Sequence, residues 1–339
     1  MSLEYIYVTR HGFRSSFTVD PASGVYTSNI HSPTKIPTDP PLTSYGVEQA
    51  NELADHLLKL EPPIDQVYSS PYYRCLQTID PFVVKRNKIA PAQGSSAKIR
   101  VEGGISEWFG HAPWHHPAPA PLSRLQELFP SIDGGYASQI TPASNGETLS
   151  QLHDRVASAL DIIIGQCDKE GKKAIVLCTH AAAVIALGRV LTGNMPKGVE
   201  EEDFAAFTCG LSIYRRRKGD YNQESVRETP ADHDPAAEHR QSAEIVDPHS
   251  PAPAARDATP KWKGGLGVAG GWTCEADSSC SFLKGGPERG WRFSGDESFS
   301  TIGNHSLAGS GAGLGVDVEV QGTRTRKGIG QQSPDGSKL

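Results

Sequence analysis

Aromatic residues make up only 7% of this 339-residue chain and hydrophobic ones 37%, low shares for a wholly globular chain. With 35 Gly and 25 Pro, the scarcity predicts segments that cannot bury enough surface to offset their ordering entropy. No uninterrupted apolar stretch is long enough to span a bilayer. The first residues also lack a basic segment followed by an apolar run, so no membrane partner is expected. Six cysteines, at 75, 167, 178, 209, 274 and 280, are scattered, which points to a reducing compartment, nucleus or cytoplasm. An excess of positive charge is missing too. The net charge of -6 argues against a surface built throughout for nucleic acid, and no direct sequence-specific DNA contact is expected.

What is present starts at Tyr5-Ile6-Tyr7-Val8-Thr9-Arg10-His11-Gly12. Its β-branched and aromatic residues predict a buried strand ending near Thr9, with Arg10 and His11 at the C-terminal tip where open α/β sheets bind ligands. Gly12, without a side chain, would let an anionic group approach the backbone. A strand-end histidine beside an arginine is also a common structural pair, so partners are needed. Residues 13–41 read as a surface loop. An amphipathic helix follows Thr43 or Ser44, with Ala50, Leu53, Ala54, Leu57 and Leu58 on one face. Asp65 to Ser69 is a second strand, and Ser70-Pro71 opens a helix with Arg74 in its first turn, beside N–H groups that favour an anion. Residues 85–143 read mostly as loop, with a strand at 98–101 and an aromatic lid carrying Glu107, Trp108 and Trp114. A capped helix runs from Asn145 to Gly171. The apolar run Ala174 to Thr179 then ends on His180 and passes into an Ala-rich helix. Leu211 to Tyr214 is read as the last strand of this unit.

Arg10, His11, Arg74 and His180 therefore converge at strand ends, with Glu107 on a covering loop and Arg14 just beyond the first motif. Catalysis of phosphoryl transfer needs fixed cationic donors and an in-line nucleophile. His11 suits the nucleophile, because surrounding arginines disfavour its protonated form. Glu107 suits the proton donor, its carboxyl raised by a bound phosphate dianion, and would later activate water. Arg10, Arg14, Arg74 and His180 would hold the phosphate oxygens. No metal or cofactor is required.

The Arg10-His11-Gly12 triplet, Ser69-Ser70-Pro71-x-x-Arg74-Cys75-x-Gln77-Thr78, Glu107-Trp108, Gly146-Glu147-Thr148 and Thr179-His180 occur in the order found in the histidine phosphatase superfamily. Residues 3–217 resemble its phosphoglycerate-mutase-like branch. The resemblance implies an α/β three-layer sandwich with a mostly parallel sheet and a phosphohistidine at His11. It also implies a phosphate pocket of Arg10, Arg74 and His180, with Glu107 as proton donor. Phe13-Arg14 replaces the Glu-Ser typical of the mutases, so phosphatase rather than mutase chemistry is expected. Arg14 is placed as in tyrosine-phosphatase-like members, where it adds a phosphate contact. Thr179-His180-Ala181 replaces the usual Ser-His-Gly.

Beyond Lys218 the composition changes. Residues 219–260 read as a disordered linker, 261–304 as a small all-β module and 305–339 as a flexible tail with a weak strand at 316–320. Trp272-x-Cys274 and Cys280-Ser281-Phe282-Leu283-x-Gly285-Gly286-x-Glu288-Arg289-Gly290-Trp291-x-Phe293 are similar to the triple-barrel domain of transcription factor IIIC subunits. In fungi, a tau subunit of that factor joins a histidine phosphatase domain (here 1–218) to such a barrel. The resemblance implies a nuclear component of the RNA polymerase III machinery, paired through residues 262–300 with a larger tau subunit. A freestanding cytoplasmic phosphatase and a catalytically idle scaffold subunit are the alternatives. Trp108 with Trp114 would select an aromatic phosphoester or cover the core edge. Arg215 to Lys218 would be a localisation signal or a strand end. His115-His116 lacks a second pair at ligand spacing and is read as a loop feature rather than a metal site.

Overall fold

Two apolar strands, buried on both faces, fix the architecture. In β1 (Tyr5–Arg10), Ile6 and Val8 pack to one side of the sheet while Tyr7 packs to the other. In β6 (Ala174–Thr179), Ile175 and Leu177 join the first side, and Val176 and Cys178 the second. That alternation explains why neither strand needs a polar residue before its tip. The computed structural model describes residues 3–89, 96–199, 201–218 and 259–295, together with the strand 316–318.

Between β1 and β6 lie β2 (Phe17–Val19), β3 (Tyr26–Ser28), α1 (Ser44–Leu57), β4 (Gln66–Ser69), α2 (Tyr73–Ile89), β5 (Ile99–Val101), α3 (Leu122–Leu128) and α4 (Leu149–Lys169). After β6 come α5 (Ala181–Thr192), β7 (Leu211–Arg216), β8 (Trp272–Ser279), β9 (Gly290–Arg292) and β10 (Val316–Val318). The main sheet has the order β5-β4-β6-β1-β7-β8. Its first four strands are parallel, whereas β7 runs antiparallel to β1, and β8 antiparallel to β7. Residues of α1, α2 and α3 cover one face, and those of α4 and α5 the other. This is the expected α/β sandwich with the phosphoglycerate-mutase-like arrangement. No described helix is long and apolar enough to cross a membrane.

Local chemistry sets the helix starts. Thr43 accepts from the Gly46 N–H at 3.1 Å and so caps α1. The fourth helix is capped by Thr148 rather than Asn145: Thr148 and Gln151 bond reciprocally to each other's backbone N–H, a capping box. The β2–β3 hairpin and α3 lie in stretches expected as loop, and α2 continues past residue 85 to Ile89.

The C-terminal segment departs most from expectation. Rather than a module apart, residues 259–295 extend the sheet: β8 pairs with β7, bringing Trp272 opposite Arg216 and Cys274 opposite Tyr214. Trp262, Trp272, Trp291 and Phe293 are buried in the core under α4 and α5, while Cys280 and Leu283 join the core on the other face. Without β8, β7 would be an open edge above apolar side chains. The basic exit of β7 is largely structural. Arg216 pairs with Asp168 at 2.8 Å, and Arg217 donates to Gly265 O and Thr192 O at 2.6 and 2.8 Å. Of the expected linker and tail, 219–258 and most of 305–339 lie outside the described residues. Within the tail, the strand Val316–Val318 pairs with Gly290–Arg292.

Candidate active site

His11 follows β1 directly, its N–H bonded to Thr179 O at 2.9 Å. Its Nδ1 lies 2.8 Å from Gly12 O. A carbonyl only accepts, so Nδ1 carries the hydrogen and Nε2 keeps its lone pair for attack. Burial holds this imidazole well below the ordinary histidine range, and the charges of Arg74, His180, Arg10 and Arg14 push it the same way.

Arg74 is the best-anchored cation. Fully buried near the start of α2, it donates through Nη1 to Thr38 O at 2.9 Å and Asp39 Oδ1 at 3.1 Å. Through Nη2 it meets Glu107 Oε2 at 2.9 Å. Its guanidinium lies 4.6 Å from the Tyr72 ring centre. The other oxygen of Asp39 accepts from the Tyr73 N–H at 2.7 Å, joining the ion pair to the helix start. Burial raises the Asp39 carboxyl despite Arg74 beside it.

His180 follows β6 and occupies the N-cap position of α5, its ring edge-on to that of His11 at 5.3 Å. Nε2 is 2.7 Å from Ser70 Oγ, and Nδ1 is 3.2 Å from Glu107 Oε2. Burial opposes a charge on His180, but the sulfur of Cys75 and the carboxylate of Glu107 raise it above the ordinary range. Burial likewise raises the Glu107 carboxyl, yet His180, Arg74 and Arg14 outweigh it and hold the group well below the usual carboxylate range. A histidine raised above its ordinary range thus lies next to a carboxyl held below its own, so His180 stands beside Glu107, the proton donor expected from the sequence, as a second candidate source of that proton.

A second layer holds Glu107 in place. Arg155 on α4 pairs with Glu147 at 2.9 Å and donates to Gly104 O and Ser106 O at 3.1 and 3.2 Å, fixing the turn before Glu107. Glu102, fully buried, accepts from Gly104 N, Ile140 N and Gln139 N at 2.8, 3.1 and 2.9 Å.

Ligand atoms of His11, Glu107 and His180 lie within 4.8 Å of one another. Three arginines bias this cluster toward an anion. Arg10 donates to Ala206 O at 2.7 Å and to Arg289 O. Arg14 donates to Ser15 O at 2.9 Å, its guanidinium 4.8 Å from the Phe17 ring centre. Burial lowers Arg14 to about 9, helped by Arg74 and opposed by Glu107.

His11, Arg10, Arg74, Glu107, His180 and Arg14 are thus brought together, but two expected site residues serve otherwise. Trp108 is not on the rim: it is 3% exposed, donates from Nε1 to Glu147 O at 2.9 Å and packs edge-on against Phe293 at 5.5 Å. Gly12 is needed for packing: a Cβ there would lie 2.8 Å from Gly46 O and 3.3 Å from Cys209 Sγ. His116 is a buried part of the loop, bonded to Tyr26 OH at 2.7 Å and Gly110 O at 3.0 Å. The sequence assigns no site role to Ser70, Asp39, Glu102, Arg155 or Arg289. Ser70 and Arg289 lay inside motifs already noted; nothing local marks Asp39.

Fold and site define an α/β protein of the phosphatase class, with histidines and arginines gathered around the C-terminal ends of its parallel strands. The chain belongs to the histidine phosphatase superfamily (branch 1), whose family profile matches residues 6–229. It is similar to the transcription factor tau 55 kDa subunit of Saccharomyces cerevisiae, 32% identical over 232 residues, covering 66% of this chain and 49% of the relative. It is also similar to the ecdysteroid-phosphate phosphatase of Drosophila melanogaster, 30% identical over 219 residues, covering 58% of this chain and 28% of the relative. The match thus spans half or less of these relatives' lengths. Among solved structures, the ecdysone phosphate phosphatase of the silkworm Bombyx mori, in complex with tungstate, aligns with a TM-score of 0.49 and 20% identity, covering 72% of this chain and 98% of that one.

Proposed function

We propose that this chain is a phosphomonoesterase working through a phosphohistidine at His11 Nε2. The observation that carries the proposal is the convergence of His11, His180 and Glu107 within 4.8 Å beside the buried Arg74. Nε2 attacks phosphorus as the ester P–O bond breaks, while Arg74, Arg10, Arg14 and His180 bind the non-bridging oxygens. The leaving oxygen takes its proton from the Glu107–His180 pair, since a bound phosphate dianion raises the proton affinity of Glu107. Glu107 then removes a proton from water, which attacks phosphorus, breaks the P–N bond and restores neutral His11.

A cavity of about 350 Å³ opens beside Glu107, with Tyr72, Phe109, Pro117, Leu125 and Ile140 in its wall. Its apolar character favours an aryl leaving group, phosphotyrosine among them. Hydrolysis of 4-nitrophenyl phosphate by the wild type, abolished in His11→Ala, is expected; equal rates in both would dismiss the scheme.

Similarity to the yeast tau subunit supports membership of transcription factor IIIC, with nuclear residence and a larger tau subunit as partner. Trp262, Trp272, Trp291 and Phe293 are buried in this chain's own core, so exposed residues of 262–300 would carry that contact. Copurification of the larger tau subunit with the tagged chain tests this. Copurification without turnover would favour a scaffold role, and turnover without a partner a freestanding phosphatase in the cytoplasm.

A further inference from the structure

The loop between β8 and β9 reaches Arg10 of the candidate site, although 279 positions separate Arg289 from Arg10. Glu288 O accepts from the N–H of Thr208 at 3.1 Å. Thr208 is also bonded through its hydroxyl to Gln49 Nε2 at 3.2 Å. The next residue, Cys209, donates its N–H to Arg10 O at 3.1 Å. Arg289 O accepts from Nη1 of Arg10 itself. The side chain of Arg289 then turns back over the first motif, its guanidinium 4.3 Å from the centre of the Phe13 ring. Arg289 has φ +47°, in the left-handed region that a non-glycine residue enters at a cost and that clusters at functional sites.

The position of this guanidinium is informative. Arg10 is buried, Arg14 half-buried and Arg289 exposed, so the cations step outward from His11 toward solvent. The charge of Arg289 acts on Arg14, which in turn acts on His11 and Glu107. Among the described residues no carboxylate pairs with Arg289. The transferring phosphoryl group already has Arg74, Arg14 and Arg10 around it. A further, exposed cation beside Phe13 and Arg14 is left to meet a different part of the substrate.

We infer that Arg289 is a specificity residue for a second anionic group on the phosphoester substrate, and that its backbone carbonyl positions Arg10. The inference rests on the phosphomonoesterase proposal, and it makes the C-terminal segment part of the substrate site. The substrate class is a phosphomonoester carrying a further carboxylate or phosphate.

The test uses the full chain with phenyl phosphate and 4-carboxyphenyl phosphate. Carboxylation also improves the leaving group, so the informative quantity is the effect of substitution on the ratio of kcat/KM for 4-carboxyphenyl phosphate to that for phenyl phosphate. Arg289→Ala should lower that ratio about three- to tenfold, the span between an exposed ion pair and a charge-assisted hydrogen bond. The change should lie in KM. Arg289→Lys should keep part of the preference, and high salt should erase it. An unchanged ratio in Arg289→Ala would overturn the inference. A binding arm needs no turnover: in His11→Ala, titration calorimetry compares pyrophosphate with inorganic phosphate. Preference for pyrophosphate, lost on adding Arg289→Ala, supports the second anion contact; the same preference with and without Arg289 refutes it. If the wild type hydrolyses neither ester, the phosphomonoesterase proposal fails, while the binding arm still decides the role of Arg289.

Discussion

His11 and His180 have rings 5.3 Å apart, yet their surroundings drive them in opposite directions. Around His11, burial and four cationic neighbours favour the neutral form; His180 gains its charge from Cys75 and Glu107 against burial. Each histidine starts from an ordinary value of 6.5. The His11 value is depressed in the folded chain, so its contribution to stability is full above that value and is lost as pH falls toward the folded one. The His180 value is raised, so its contribution is full below 6.5 and is lost as pH rises through the folded one. The proposed scheme uses a neutral His11, with His180 sharing the proton of its pair with Glu107, and the opposed shifts favour both of those forms at the ordinary value. We predict that kcat/KM crosses pH 6.5 without an inflection, once the ester's own ionisation near about 6 is allowed for. An acid limb at the unperturbed histidine value would show that His11 is not shielded as described.

Where β1 meets the start of α1, the fit depends on two glycines. A Cβ on Gly46 would lie 2.0 Å from Phe13 O, and one on Gly12 would lie 2.8 Å from Gly46 O. Both obstacles are backbone, which cannot swing aside like a side-chain tip. Gly12→Ala should therefore cost about 1–3 kcal/mol, with a thermal midpoint lower by roughly 2–4 °C for each kcal/mol. An unaltered midpoint would mean that α1 yields more readily than its Thr43 cap suggests. Elements such as β1, β6, α1 and α5 were legible in the sequence because apolar run, cap and breaker are all local signals. The strand-end residues His11, Arg74 and His180 followed from them. Other features were not legible for physical reasons. The three-residue strands of the β2–β3 hairpin are too short for period-two patterning to stand out. Trp108 has the composition of a rim residue and the position of a core residue, since only packing against Phe293 decides which way it faces. The Arg10–Arg289 contact depends on a chain return that no local pattern encodes.

At the scale of the whole molecule, the sheet is completed by a strand from beyond the composition break at residue 218. Sequence reasoning placed the boundary of an independent unit there, because the intervening stretch is poor in large apolar residues. The structure instead brings the chain back to cover β7. Trp272 shows how tightly the two parts are joined: it is fully buried, donates from Nε1 to Val268 O at 3.2 Å, and has the Arg216 guanidinium 5.4 Å from its ring centre. Arg216 also pairs with Asp168 of α4, whose Oδ1 accepts from the Leu3 N–H at 3.0 Å. Trp272→Ala would open a cavity between β8 and the helices and remove the packing surface of Arg216. We predict a loss of about 3–5 kcal/mol, seen as one cooperative transition at lower denaturant in both far-ultraviolet circular dichroism and tryptophan fluorescence. A separate module would behave differently, with the tryptophan signal melting early and the α/β transition left where it was. Two transitions of that kind would restore the boundary at residue 218 and detach Arg289 from the site.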